Sequence, residues 1–393
     1  MPTRLASSTL VIRPSPCNSR RIARSISSSL ERTRGPGSRL RWCRRSVLAI
    51  QGTCRAEAGE PPQEPALQAD PTPIVWVLTD GKAGDEVQCL GVAERLGVTP
   101  EIRRIAPRKP FAWLMPRGPI DPREGPDRPG SPIRPPFPDI VIASGRRAIA
   151  YVRAVKKASN GATFTVILKD PRTGAGSADF LWVAEHDRLR GENVLVTTTS
   201  PHGLAPQRLE AARRAPPAAI AALPAPRTAV LVGGDSRHHR FRPEDITRFA
   251  EGLEALARSG VALMGSRSRR TSPALDAAVA AVFARHGGWW WDGSGENPYV
   301  ALLAHADAIV TTADSTNMIG EATASGAPIL VFEPHGGHGK LAKFLESLKR
   351  QGMVHHFEGR LEGERYAPVD STQVIADAVR QRWLMHRQQL RLA

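Results

Sequence analysis

From Pro71 onward the chain alternates short apolar runs with stretches of helical period. The runs are Ile74–Leu78, Asp139–Ser144, Thr163–Leu168, Phe180–Glu185 and Asn193–Thr198, then Thr228–Gly234, Val261–Ser266, Ala308–Thr312 and Pro328–Glu333. They are continuous rather than alternating, the pattern of strands buried on both faces of a parallel sheet. Strands spaced by helices of about ten to fifteen residues read as βαβ units. The helices are well punctuated. Pro243-Glu244-Asp245 opens one that presents Ile246, Phe249, Leu253 and Leu256 on a face and stops at Gly260. Ser272-Pro273 and Asn297-Pro298 open two more, while Gly287-Gly288, Gly326 and Gly352 mark ends. Proline in a first turn loses nothing, because the N–H there has no helical partner. A final helix over Thr372–Leu390 has Val374, Ile375, Val379 and Trp383 to bury.

Two passages interrupt this rhythm. Residues 107–138 hold eleven prolines, too many for regular structure, and read as a long loop draped on the first half. Residues 215–227 are rich in proline and alanine and read as a linker. A chain of 393 residues exceeds what a single core supports. The expected architecture is therefore α/β, with two Rossmann-like domains facing across a cleft. The first covers 71–214 and the second 228–393, whose last helix is free to cross back.

Composition sharpens the picture at the N-terminus. The first 70 residues carry 12 Arg, no Lys and 5 acids, a net +7 of the total +16, which leaves +9 for the rest. This Arg- and Ser-rich leader reads either as an organelle transit segment or as translation from a start placed too far upstream in a GC-rich gene. On both readings it stays outside the fold and lacks the apolar content to join a core. The remaining arginines are scattered without a basic–aromatic motif, so no nucleic-acid partner is expected. No run approaches the roughly 18 apolar residues of a membrane helix, so no integral membrane segment is expected. Of the four cysteines, only Cys89 lies beyond residue 54, which excludes a disulfide framework in the body and fits a reducing compartment. A cytoplasmic, bacterial location follows. Mitochondrial association is the alternative if the leader is a targeting segment.

Several strand exits carry candidate chemistry. Gly233-Gly234-Asp235-Ser236 follows a strand as a phosphate cradle would, with Arg237 and Arg240 close by to neutralise charge. It has neither a P-loop lysine nor dinucleotide spacing. Asp314-Ser315-Thr316 follows a second strand, and the helix it opens carries Glu321, a carboxylate suited to vicinal hydroxyls. A plain helix cap with a surface glutamate fits the spacing equally well. In the first half, Gly81 and Lys82, then Ser144, Gly145 and Arg146, stand at further strand exits. His186 beside Asp187 is the acid–base candidate, against a structural histidine. Trp289-Trp290-Trp291 reads as packing between sheet and helix, with base stacking as the alternative. The eleven histidines show no metal-ligand spacing, so neither a metal nor a cofactor is assigned.

The ordered set Asp80-Gly81-Lys82-Ala83-Gly84 with Gln88, Ser144-Gly145-Arg146-Arg147, Asp170-Pro171-Arg172, His186-Asp187, Gly191-Glu192-Asn193-Val194, Gly233-Gly234 and Thr312-Ala313-Asp314-Ser315 with Glu321 resembles the mitochondrial fission, or "elongated mitochondria", family. The resemblance covers residues 72–365. For plant members it implies a mitochondrial-surface factor that helps recruit a dynamin-related GTPase; for bacterial members it implies no settled activity. The second half also resembles the donor-binding domain of GT-B glycosyltransferases, above all the lipid-linked N-acetylglucosaminyltransferase of peptidoglycan synthesis. That resemblance implies contacts from Gly233–Ser236 and Glu321 to a nucleotide-sugar. One departure stands out: where that family has glycine after the serine of the turn, this chain has Asp314-Ser315. Two function classes remain, a binding or adaptor protein on a glycosyltransferase-like scaffold and a metal-independent transferase using a nucleotide-sugar. An oxidoreductase or epimerase is disfavoured by the missing dinucleotide fingerprint.

Overall fold

The computed structural model describes residues 71–392. The leader readings lie outside the described residues. The first half is built on β1 (Val75–Thr79), β2 (Glu101–Arg104), β3 (Ile140–Ala143), β4 (Phe164–Leu168), β5 (Phe180–Ala184) and β6 (Val194–Thr197). They pair in the order β2-β1-β3-β4-β5-β6, parallel throughout. The second half uses β7 (Arg227–Val232), β8 (His239–Arg240), β9 (Ala262–Arg267), β10 (Trp289–Trp291), β11 (Ala308–Thr312), β12 (Ile329–Phe332), β13 (His335–Gly336) and β14 (Val354–His356). Its six-stranded parallel sheet runs β10-β9-β7-β11-β12-β14, and β8 pairs antiparallel with β13 as a separate ribbon.

The apolar runs are continuous because both faces of each sheet are covered. Val75, Val77, Ile140 and Ile142 meet Cys89 and Val92 of the helix Ala83–Arg95 on one face. Trp76, Leu78, Val141 and Ala143 meet Tyr151 and Val155 on the other. In the second sheet Val230, Val310 and Leu330 pack on Phe249 and Phe283, while Ala229, Ile309 and Ile329 face Leu302 and Leu345. Burial pushes the Cys89 thiol far above its usual range.

Besides the β8–β13 ribbon, three strands of the six-stranded sheets have no counterpart in the sequence reading: β2, β10 and β14. Each is an edge strand with one neighbour, so it needs no unbroken apolar run, and Glu101-Ile102-Arg103-Arg104 is mostly exposed. The three tryptophans form one of them. Trp290 packs 5.0 Å from Phe283 and donates to Asp276 at 3.0 Å, whereas half-buried Trp291 turns toward a cavity.

The proline-rich passage is a loop with two short helical turns, Phe111–Leu114 and Pro122–Glu124. Met115 and Ile133 pin it into the first core. The passage at 215–227 contains the turn Ala218–Ala221, and Ile220 and Leu223 are buried with Leu204 and Leu209 in the core of the second sheet. Apolar positions from residue 204 on thus pack with the second half, ahead of the expected break at 215. The last helix, Ser371–Leu392, returns to the first sheet, where Ile375, Val379 and Trp383 are buried. Arg95 ties this return by donating to Asp370 at 3.2 Å and to the Leu204 carbonyl at 2.9 Å.

In each sheet the strand order reverses beside its first strand, between β1 and β3 and between β7 and β11. Such switch points open a crevice at the carboxyl ends of the strands. The candidate residues sit there.

Candidate functional site

At the second switch point the exits of β7 and β11 are locked together. The Gly233 N–H donates to Thr312 Oγ1 at 2.8 Å, and the Thr312 hydroxyl donates to Asp314 Oδ1 at 2.6 Å. The Gly234 N–H donates to Asp314 Oδ2 at 3.2 Å, and Arg270 reaches the same oxygen at 2.6 Å. The Asp314 side chain has 0% exposure. A Cβ on Gly233 would lie 2.0 Å from Asp314 Oδ1, and one on Gly234 would lie 1.9 Å from the Arg270 carbonyl. The two glycines therefore admit a carboxylate and a neighbouring loop, and the amides that resemble a phosphate cradle already have acceptors. Ser236 accepts the N–H groups of His238 and His239, Arg240 pairs with Asp235 at 3.0 Å, and Ser315 caps the following helix by accepting the Met318 N–H. Thr316 begins that helix.

Beside this knot lies a cavity of about 870 Å³, lined by Glu321, Tyr299, Trp291, Ser266, Arg269 and Thr271 among others. The Tyr299 hydroxyl donates to Glu321 Oε2 at 2.7 Å. Burial raises the Glu321 carboxyl above its usual range, and the tyrosine bond offsets part of that. Burial and the adjacent carboxylate push the Tyr299 phenol well up, so it stays a donor. The Glu321 carboxylate keeps acceptor capacity for hydroxyls within the cavity. Arg269 makes no ion pair or side-chain hydrogen bond among the described residues. Sequence reading singled out neither Tyr299 nor Arg269. Asn297-Pro298 marks the helix start that places Tyr299, but nothing local says which way it faces.

The first switch point brings Gly81, Lys82, Ser144, Gly145 and Arg146 near Asp85. Ser144 donates to Asp85 at 3.2 Å and Lys169 pairs with it at 3.4 Å. Gly145 has φ +91, and a Cβ there would come within 2.7 Å of Asp85 Oδ2. Arg146 donates to the carbonyls of Ala112, Trp113 and Met115 at 3.0, 3.3 and 2.7 Å, so the proline-rich loop fixes its guanidinium. Lys82 pairs with Asp80 at 3.2 Å, and Gly81 turns the chain at φ +83.

The halves meet at Asp187, which Lys340 contacts at 2.5 Å, and at Glu185, which accepts from Ser347 at 2.6 Å. Asp187 therefore faces the second half, and it makes no hydrogen bond to His186. The His186 Nδ1 is buried without a partner among the described residues, and its ring meets Phe344 edge-on at 6.5 Å. Burial lowers the His186 imidazole against the pull of Asp187. The two residues do not form an acid–base pair in this geometry. Among the described residues, no group of three or more His, Cys, Asp or Glu is arranged to hold a metal, and no helix is long and apolar enough to cross a membrane.

Residues 83–383 match the family described as Mitochondrial fission ELM1. The chain is 27% identical over 274 residues to a mitochondrial fission protein ELM1 of Arabidopsis thaliana, covering 62% of this chain and 63% of that one. It is 28% identical over 162 residues to an uncharacterized protein of Rickettsia prowazekii, covering 39% and 46%. The chain thus spans less than two thirds of the length of these curated relatives. Among solved structures, UGT89C1 of Arabidopsis thaliana complexed with UDP aligns at TM-score 0.41 and 14% identity, over 81% of this chain and 94% of that one.

Proposed function

The chain belongs to the mitochondrial fission ELM1 family, and from that premise we propose that it is a binding or adaptor protein whose second half takes a nucleoside diphosphate or nucleotide-sugar. The observation that carries this reading is Glu321, a largely buried carboxylate held by Tyr299 on the wall of the 870 Å³ cavity. A buried carboxylate with unfilled acceptor capacity matches a vicinal diol. Trp291 offers an aromatic face for a base, and Arg269, unpaired among the described residues, offers a cation for a phosphate on the same wall. A family role of recruiting a dynamin-related GTPase, and a cytoplasmic location, belong to this proposal.

Asp314 favours binding over glycosyl transfer. A transferase stabilises the leaving diphosphate with free donors, and here a carboxylate occupies the Gly234 amide. The test is to titrate UDP, GDP and ADP into the full-length chain while following thermal stability. Saturable stabilisation at micromolar nucleotide is the expected outcome, because a ligand that binds only the folded state raises its stability. No shift with any of the three at millimolar concentration overturns the reading.

A further inference from the structure

Six cations converge on one space between the two halves. A cavity of about 480 Å³ is lined by Lys82, Arg146, Lys169 and Arg172 from the first half and by Arg237 and Lys340 from the second. Three carboxylates, Asp85, Asp170 and Asp187, share the lining, and Asp80 pairs with Lys82 from just outside it, which leaves an excess of two positive charges. The lysines are accounted for: Lys82 pairs with Asp80, Lys169 with Asp85 and Lys340 with Asp187. The three arginines are not. Arg146 is held by three main-chain carbonyls, which orient it without cancelling its charge. Arg172 and Arg237 form no ion pair through their side chains among the described residues.

Unpaired like charges gathered on one concave wall repel one another. Asp170 is the one lining carboxylate not paired with a lysine, and it offsets only part of that repulsion. Of the three arginines, Arg146 has its guanidinium held in place. Arg172 sits at φ +58, a left-handed backbone that a bulky residue adopts only when its surroundings hold it there. An anion that draws on both halves would offset the excess. Guanidinium forks suit phosphate oxygens, and three of them match the charge of a phosphomonoester or diphosphate.

We propose that this inter-domain cavity is a second ligand site, which binds a phosphomonoester or diphosphate group through Arg146, Arg172 and Arg237. It shares no lining residue with the cavity that holds Glu321, and the proposal does not rest on the nucleoside reading. The phosphate can come from a soluble compound or from a lipid headgroup.

Calorimetric titration of the full-length chain with inorganic pyrophosphate tests it. Saturable binding is expected, weakened at least tenfold by Arg237→Glu and unchanged by Glu321→Gln. Arg237 is exposed and makes no side-chain bond among the described residues, so its replacement leaves the fold intact, which circular dichroism verifies. Failure of the wild-type chain to bind pyrophosphate at millimolar concentration, or equal affinity in Arg237→Glu, overturns the proposal. Flotation with phosphatidylcholine vesicles, with and without phosphatidic acid, separates the sources. Flotation that requires phosphatidic acid and is lost in Arg237→Glu assigns a lipid headgroup, and pyrophosphate binding without flotation assigns a soluble phosphate.

Discussion

Arg270 donates to the Asp314 carboxylate at 2.6 Å, across 44 residues of chain, over a turn whose two glycines leave no other room. The pair closes the crevice that a parallel sheet opens at its switch point, and it seals the backbone amide there with a protein carboxylate. Asp314→Asn keeps the acceptor for Gly234 and removes the charge opposite Arg270. We expect a loss of about 1–3 kcal/mol, since Arg270 is partly exposed and recovers some hydration. Asp314→Gly should cost more, because it also strands the Gly234 N–H and the Thr312 hydroxyl. Urea unfolding of both variants measures this, and two unchanged midpoints would show that the pair contributes nothing.

Glu321→Gln preserves shape and the Tyr299 contact but removes the charge that a diol would meet. UDP affinity should fall by about 1.5–3 kcal/mol. The pH dependence has a definite sign. Burial raises the carboxyl of the empty site, and diol hydroxyls favour its ionised form, so binding must release a proton once the pH drops below that raised value. Affinity in the wild-type chain should therefore decline toward acid, by at most about tenfold per pH unit, starting above the ordinary glutamate range. The glutamine variant should be flat. Parallel slopes in the two proteins would remove Glu321 from the site.

His202 is buried at the seam between the halves, where its Nδ1 accepts the Leu204 N–H and its Nε2 has no partner among the described residues. Burial pushes its imidazole down to about 4. The depressed value means that protonation favours the unfolded chain. The neutral histidine's contribution is thus complete above the unfolded value near 6.5 and is lost as the pH falls toward 4. Between pH 7 and pH 5 the loss should be about 2 kcal/mol. Asn at this position can accept the same N–H two residues on, as Asx turns do. His202→Asn should flatten the urea-midpoint profile over that interval, whereas an unaltered profile would assign the acid sensitivity elsewhere.

Gly145→Ala should be strongly destabilising, by at least about 2 kcal/mol. The residue adopts φ +91, and the new methyl would meet Asp85 Oδ2 at 2.7 Å. Gly97, at φ +77 with open space around it, supplies the comparison. Its alanine variant should lose only the conformational part. Equal midpoints in the two variants would mean that the Asp85 contact yields without cost.

The sequence by itself determined the strands and helices that a core demands. Val75–Leu78 and Ile140–Ala143 are apolar at every position because both faces of their sheet are covered, and that requirement is written locally. Helix starts such as Ser272-Pro273 were equally legible, since a cap concerns only the next three residues. Only the tertiary structure decided what faces each strand exit. Gly233-Gly234 has the composition of a phosphate cradle, but its amides are met by Thr312 and Asp314, 79 and 80 residues away, through the pairing of β7 with β11. Glu321 was visible as a carboxylate, and its meaning depended on Tyr299, on a different helix. Arg146 and Arg237 stood out as candidates at separate strand exits, and only the closing of two sheets brought them to one cavity with Arg172. A local pattern records which groups a turn presents. Whether those groups stay free depends on long-range partners, which are set by strand order and by how the two halves close.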